Sequence, residues 1–138
     1  MPALQSIVAE ASAAGTGARL VMAEPHGDLQ TLASERCGNQ SWRVHGLSVL
    51  ESGEPLARPG IAVAPIQGAA GVRGAFLLYY DFGYVASQHE YIALARAYAS
   101  HVEDVLRAST AKLDAIGCAA HAMMQMLAAH DPATARHS

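Results

Sequence analysis

The chain has 138 residues, 51% of them hydrophobic but only 6% aromatic, with 15% charged and a formal net charge of −3. That length suits one domain with a core of its own, and so much alanine means close helix packing with a small burial gain per side chain. No basic cluster is present, which excludes the electrostatic footprint of a nucleic-acid binder, and the sparse charge points to surface hidden in an oligomer.

Leu4, Ile7, Val8 and Ala11 recur at helical spacing, and Gly15 and Gly17 end that run, so a short amphipathic helix opens the chain. Ala18 to Ala23 reads as a strand, Pro25-His26-Gly27-Asp28 as a turn, and Leu29 to Ala33 as the returning strand of a hairpin. Glu35 to Gln40 is polar and reads as a loop. A second helix is expected over SWRVHGLSVLES, from Ser41 to Ser52, closed by Gly53 and then Pro55. Leu56-Ala57-Arg58 is at most a stub of strand before Pro59-Gly60.

Ile61 to Ile66 forms the next strand, Gly68 to Gly71 a tight turn, and Val72 to Tyr80 the longest strand. Phe76, Leu78 and Tyr80 alternate there against Ala75, Leu77 and Tyr79, so both faces are apolar. Such a strand belongs at the centre of a sheet covered on both sides.

Ser87 and Glu90 match a capping box at the start of the last helix. Ile92, Ala95, Ala99, Val102, Leu106, Ser109, Leu113, Ile116, Ala120, Met123 and Leu127 then alternate steps of three and four. That 3.5-residue period belongs to a coiled coil or a bundle helix. Ser109-Thr110 and Gly117 leave two courses open, one continuous helix or a helix–helix hairpin. A continuous helix from Ser87 to Ala129 spans about 65 Å, against about 30 Å for the longest strand. Its second half would then be covered by a partner. The expected homodimer interface is Ile92, Ala95, Ala99, Val102, Leu106, Leu113, Ile116, Met123 and Leu127.

The segment Ala115 to Ala129 is apolar but shorter than the about 20 residues of a membrane span, and it holds His121 and Gln125, so no membrane segment is expected. Cys37 and Cys118 lie far apart and form no metal-ligand spacing. With no signal peptide before the first helix, they read as reduced thiols of a cytoplasmic protein. Cys118, His121, Met123, Met124 and Met126 are soft donors, yet methionines filling a helix seam explain the same residues, so no metal is assigned. Cys37, Trp42 and His45 cluster in the loop and helix expected to cover the sheet. Either they bind a ligand, or Trp42 packs as a lid and His45 faces water. Tyr79 and Tyr80 point to opposite faces, so only one can line a pocket and the other should pack under the helices. No catalytic motif is present, and the chain is not expected to be an enzyme.

The order helix, hairpin, helix, strands, long helix resembles that of a GAF domain. RVHGLSVLESGEPL is similar to the helix and turn before the third GAF strand, and IAVAPIQGAAGVRGAFLLYY to the following strand pair, with Pro65 and Gly74 at matching places. The likeness covers about residues 3–108, leaving 109–130 as a helical extension for dimerisation or signalling and 131–138 as a disordered tail. It implies an α+β fold, an antiparallel sheet flanked by helices, with the first and last helices on one face and a pocket on the other. It also implies a sensory or regulatory role, with a small-molecule ligand or a signalling protein as partner. Only Leu56 to Gly60 separate SGEP from the next strand, which implies a pocket that is small, open or lost. The bilin cysteine, the N-K-x-F-D-E run of cyclic-nucleotide binders and the three cysteines of the sulfoxide-reducing branch are all missing, so no cofactor follows. Two other classes fit the same elements, a roadblock-like interaction scaffold without a ligand and a small redox enzyme using Cys37 near Arg36 or Arg43.

Overall fold

The computed structural model describes residues 2–37, 42–81 and 88–130. In chain order these form α1 (Pro2–Ala14), β1 (Gly17–Ala23), β2 (Leu29–Glu35), α2 (Trp42–Ser52), β3 (Leu56–Arg58), β4 (Ile61–Gly68), β5 (Gly71–Tyr79) and α3 (Gln88–His130). The capping residue expected at Ser87, positions 38–40 of the expected loop, the expected helix start at Ser41 and the expected tail 131–138 lie outside the described residues.

The strands make one antiparallel sheet in the order β2-β1-β5-β4-β3. β5 takes the centre, as its two apolar faces require, and Phe76 is flanked by Leu20 on one side and Ala64 on the other. It forms a tight hairpin with β4, where Gly68 pairs with Gly71 across Ala69 and Ala70. β2 runs past the expected Ala33 to Glu35, because Glu35 still finds a partner in Ala18. The register of β1 against β2 slips between Leu20 and Val21, and Leu32 is the extra residue, 45% exposed. A bulge of this kind turns the strand over. Leu29 therefore joins Val21 on one face while Ala33 pairs with Leu20 on the other.

Each sheet face has its own cover. On one, Val49 of α2 packs into Val21, Leu29, Ile61, Val63, Ala75, Leu77 and Tyr79. Gly46 allows the approach, since a Cβ there would lie 2.7 Å from Leu29 Cδ1. α2 ends where the N–H of Gly53 donates to Val49 O at 2.8 Å, with Gly53 at φ +72°, a left-handed cap that suits glycine. On the opposite face the first part of α3 buries Ala95, Ala99 and Val102. Tyr98 stacks on Phe76 at 5.8 Å between ring centroids, and Tyr91 on Tyr80 at 4.1 Å. α1 shares that face, burying Leu4, Ile7, Val8 and Ala11 and bringing Glu10 near Tyr98.

α1 has no basic residue in its last turn. Arg36, just past β2, supplies the cation there. Its Nε donates to Ser12 Oγ at 2.8 Å and its Nη2 donates to Ser12 O. This satisfies a serine that is only 1% exposed and places positive charge at the helix C-terminus. Arg36 adopts φ 52°, the left-handed region, which a non-glycine residue holds only where its surroundings fix it.

α3 is continuous over 43 residues, without a break at Ser109-Thr110 or at Gly117, so of the two courses left open by the sequence the single helix is the one present. The chain divides into two compact units, Met1–Val105 and Leu106–Ser138. The first holds the sheet. The second holds the distal part of α3, where Leu113, Ile116, Met123 and Leu127 are 56–69% exposed. Among the described residues no helix is long and apolar enough to cross a membrane.

Candidate functional site

Cys37, Trp42 and Tyr79 meet on the face of the sheet covered by α2. The Cys37 thiol donates to Ala18 O at 2.9 Å and lies 3.3 Å from Glu35 O. Burial pushes the thiol pKa up, while those backbone contacts and nearby Arg19 act in the opposite direction. Burial likewise raises the Tyr79 phenol, helped by Cys37 and opposed by Arg19. His45 lies at a half-buried position on α2. Tyr80 belongs to the other face, where its hydroxyl donates to Arg58 O at 3.1 Å and its ring lies on Tyr91. The two tyrosines part as strand alternation requires.

Arg19 is the member of this group that the sequence does not announce. β1 carries it on the same face as Val21, and its Nη1 donates to Thr31 Oγ1 at 2.9 Å. Its guanidinium lies 4.8 Å from the centroid of Trp42, and that of Arg43 lies 4.9 Å from it. Trp42 thus contacts two cations, an arrangement that fixes the indole by charge as well as by packing. Arg43 also reaches Asp28 at 3.3 Å. Inward of this cluster the face is filled by Val49, Leu29, Val21 and Leu77, with Trp42, Leu50 and Leu56 packed at its margin.

A cleft opens instead at the end of β4. β3 is three residues long and its pairing stops at Leu56 opposite Val63, so Pro65 and Gln67 have no outer strand beside them. Glu103 of α3 occupies part of that edge, accepting the Gln67 N–H on Oε1 at 2.8 Å. The remaining space, about 310 Å³, lies among the Gly53–Pro55 turn, the end of β4, and Arg96, Ala99 and Ser100 of α3. None of these residues stands out as a site in the sequence. They come from three separate segments, and only the folded sheet brings them together.

The stripe expected at an interface divides in two. Ala95, Ala99 and Val102 are 0–2% exposed in the core of their own chain, and Ile92 and Leu106 are half-buried. The first three are therefore already covered, because they lie over the sheet face that includes Phe76. Leu113, Ile116, Met123 and Leu127 remain exposed.

No family model matches the chain, and no curated protein matches it. Solved structures do. The second GAF domain of DevS from Mycobacterium smegmatis superposes with a TM-score of 0.53 at 14% identity, over 81% of this chain and 97% of that one. A second structure, the GAF-B domain of DevS from the same organism, gives 0.52 at 15% identity over the same shares. At such identity the likeness concerns architecture, and it agrees with the five-stranded sheet and its helices: the chain has a GAF-like fold.

Proposed function

We propose that this chain is a regulatory module that works as a homodimer, joined through the distal part of α3. The observation that carries the proposal is the exposed apolar stripe Leu113, Ile116, Met123 and Leu127. Their spacing, completed by Ala120, repeats every 3.5 residues on average, the period at which two helices keep one seam in contact. A second copy is the natural occupant because the stripe carries no charge to match, with no Asp, Glu, Lys or Arg between Ala115 and Ala129. The GAF-like architecture supports a regulatory role. The raised pKa of Cys37 weighs against a nucleophilic thiol, which needs the opposite shift.

Sedimentation equilibrium at micromolar concentration tests the dimer. The wild-type chain should sediment as twice its monomer mass. The double variant Leu113→Glu, Ile116→Glu should sediment as a monomer and keep its helical circular dichroism. A wild-type monomer at that concentration overturns the proposal, as does a double variant that remains dimeric.

A further inference from the structure

The cleft beside β4 carries an inference that goes beyond the dimer and does not depend on it. Its lining lies wholly within the unit Met1–Val105. Its volume of about 310 Å³ falls at the small end of the range for small-molecule sites, about 300–1,000 Å³. Pro55, Pro65 and Ala99 give it apolar walls, and three charged side chains face it: Glu54, Arg96 and Glu103.

These charges are not spent on one another. Among the described residues neither Arg96 nor Glu54 forms an ion pair. Glu103 is anchored on the Gln67 N–H through one oxygen, which fixes its place in the cleft. Arg96 and Glu103 are about two turns apart on α3, roughly 10 Å along the axis, with Ser100 between them. One guanidinium and two carboxylates therefore surround a single small cavity. The complementary ligand reverses that pattern, with one carboxylate and two cationic groups on a short apolar stem. A basic α-amino acid has that composition, whereas a small neutral amino acid has only one of the two cationic groups.

We infer that this cleft binds a basic amino acid of the arginine or lysine class, its carboxylate on Arg96 and its two cationic groups on Glu54 and Glu103. The Ser100 hydroxyl supplies a further hydrogen-bonding group, and the prolines and Ala99 contact the methylene stem.

Isothermal titration calorimetry of the whole chain with L-arginine and L-lysine tests this. Both should bind saturably, one per chain. L-Citrulline, which lacks the side-chain charge, and agmatine, which lacks the carboxylate, should each bind at least about tenfold more weakly than L-arginine. Arg96→Ala should weaken L-arginine by a similar factor and leave agmatine unchanged. Glu103→Gln keeps an acceptor for the Gln67 N–H, so the fold is retained, and it should also weaken L-arginine. Absence of saturable binding at millimolar L-arginine and L-lysine overturns the inference. So does citrulline binding as tightly as arginine, or an Arg96→Ala variant with unchanged affinity. Sedimentation reads the dimer separately, so the two proposals fail independently.

Discussion

Val102 and Leu113 occupy the same apolar stripe of one helix, yet their surroundings differ, and truncating each to alanine should separate the two halves of α3. Val102 is 0% exposed. Val102→Ala removes two methyl groups, about 0.8 kcal/mol each in transfer, and leaves a cavity that adds to the loss. Alanine's better helix propensity returns a few tenths, so a net cost of about 1.5–2.5 kcal/mol is expected. For a domain of this size that lowers Tm by roughly 6–15 °C. Leu113 is 69% exposed in a single chain, so Leu113→Ala should cost under about 0.5 kcal/mol in the monomer. In a dimer the same substitution removes buried surface, and its cost then grows with protein concentration. Urea denaturation followed by far-UV circular dichroism, at a low and a high protein concentration, reads both effects. Val102→Ala should shift the midpoint equally at both, and Leu113→Ala only at the higher. A Val102→Ala cost below about 0.5 kcal/mol would refute the packing of α3 on the sheet.

Gly74→Ala should destabilise the domain by about 3 kcal/mol or more, since the new Cβ would lie 2.3 Å from Val21 O, and backbone of a neighbouring central strand cannot swing aside; a melting temperature within a few degrees of wild type would contradict the pairing of β1 with β5. The exposed Cys118 should react with an aromatic disulfide reagent well before Cys37 in the folded protein, and equal rates would contradict the burial of Cys37. Cys37 and Tyr79 are raised by burial above their usual 9.0 and 10.0, so the folded state holds those protons longer than the unfolded one. Stability should therefore be level near neutrality and fall as pH rises through 9 to 10 and beyond, with Tyr79→Phe removing part of the alkaline loss in urea melts taken across that range.

β5 is legible from the chain because two apolar faces on one strand admit only a central, doubly covered position. α3 is legible because its 3.5-residue period persists through Ser109 and Gly117 without a proline to stop it. Whether a given apolar residue of that stripe meets the chain's own sheet or stands free is a different matter, since Val102 and Leu113 look alike in the pattern. The bulge at Leu32 is not legible either. Alternation assigns Leu29 and Ala33 to one face, and only the pairing register shows that they part. Arg19 reads as an ordinary polar position of β1 until the register sets it beside Trp42 and Tyr79. The cleft is the extreme case, because Glu54, Arg96 and Glu103 have no shared local pattern, and the shortness of β3 is what leaves room for them to converge.

The Arg36 clamp should make α1 and the β1–β2 hairpin open together. Ser12 is satisfied by a residue 24 positions later, so fraying the end of β2 also takes from the last turn of α1 the partner of Ser12 and its counter-charge. Amides of that turn and of the hairpin should then share one opening free energy in native-state exchange instead of two. The end of α1 is thus closed from two sides, by the Gly15 N–H on Ala11 O at 3.2 Å and by a residue that stays in place only while β2 keeps its register.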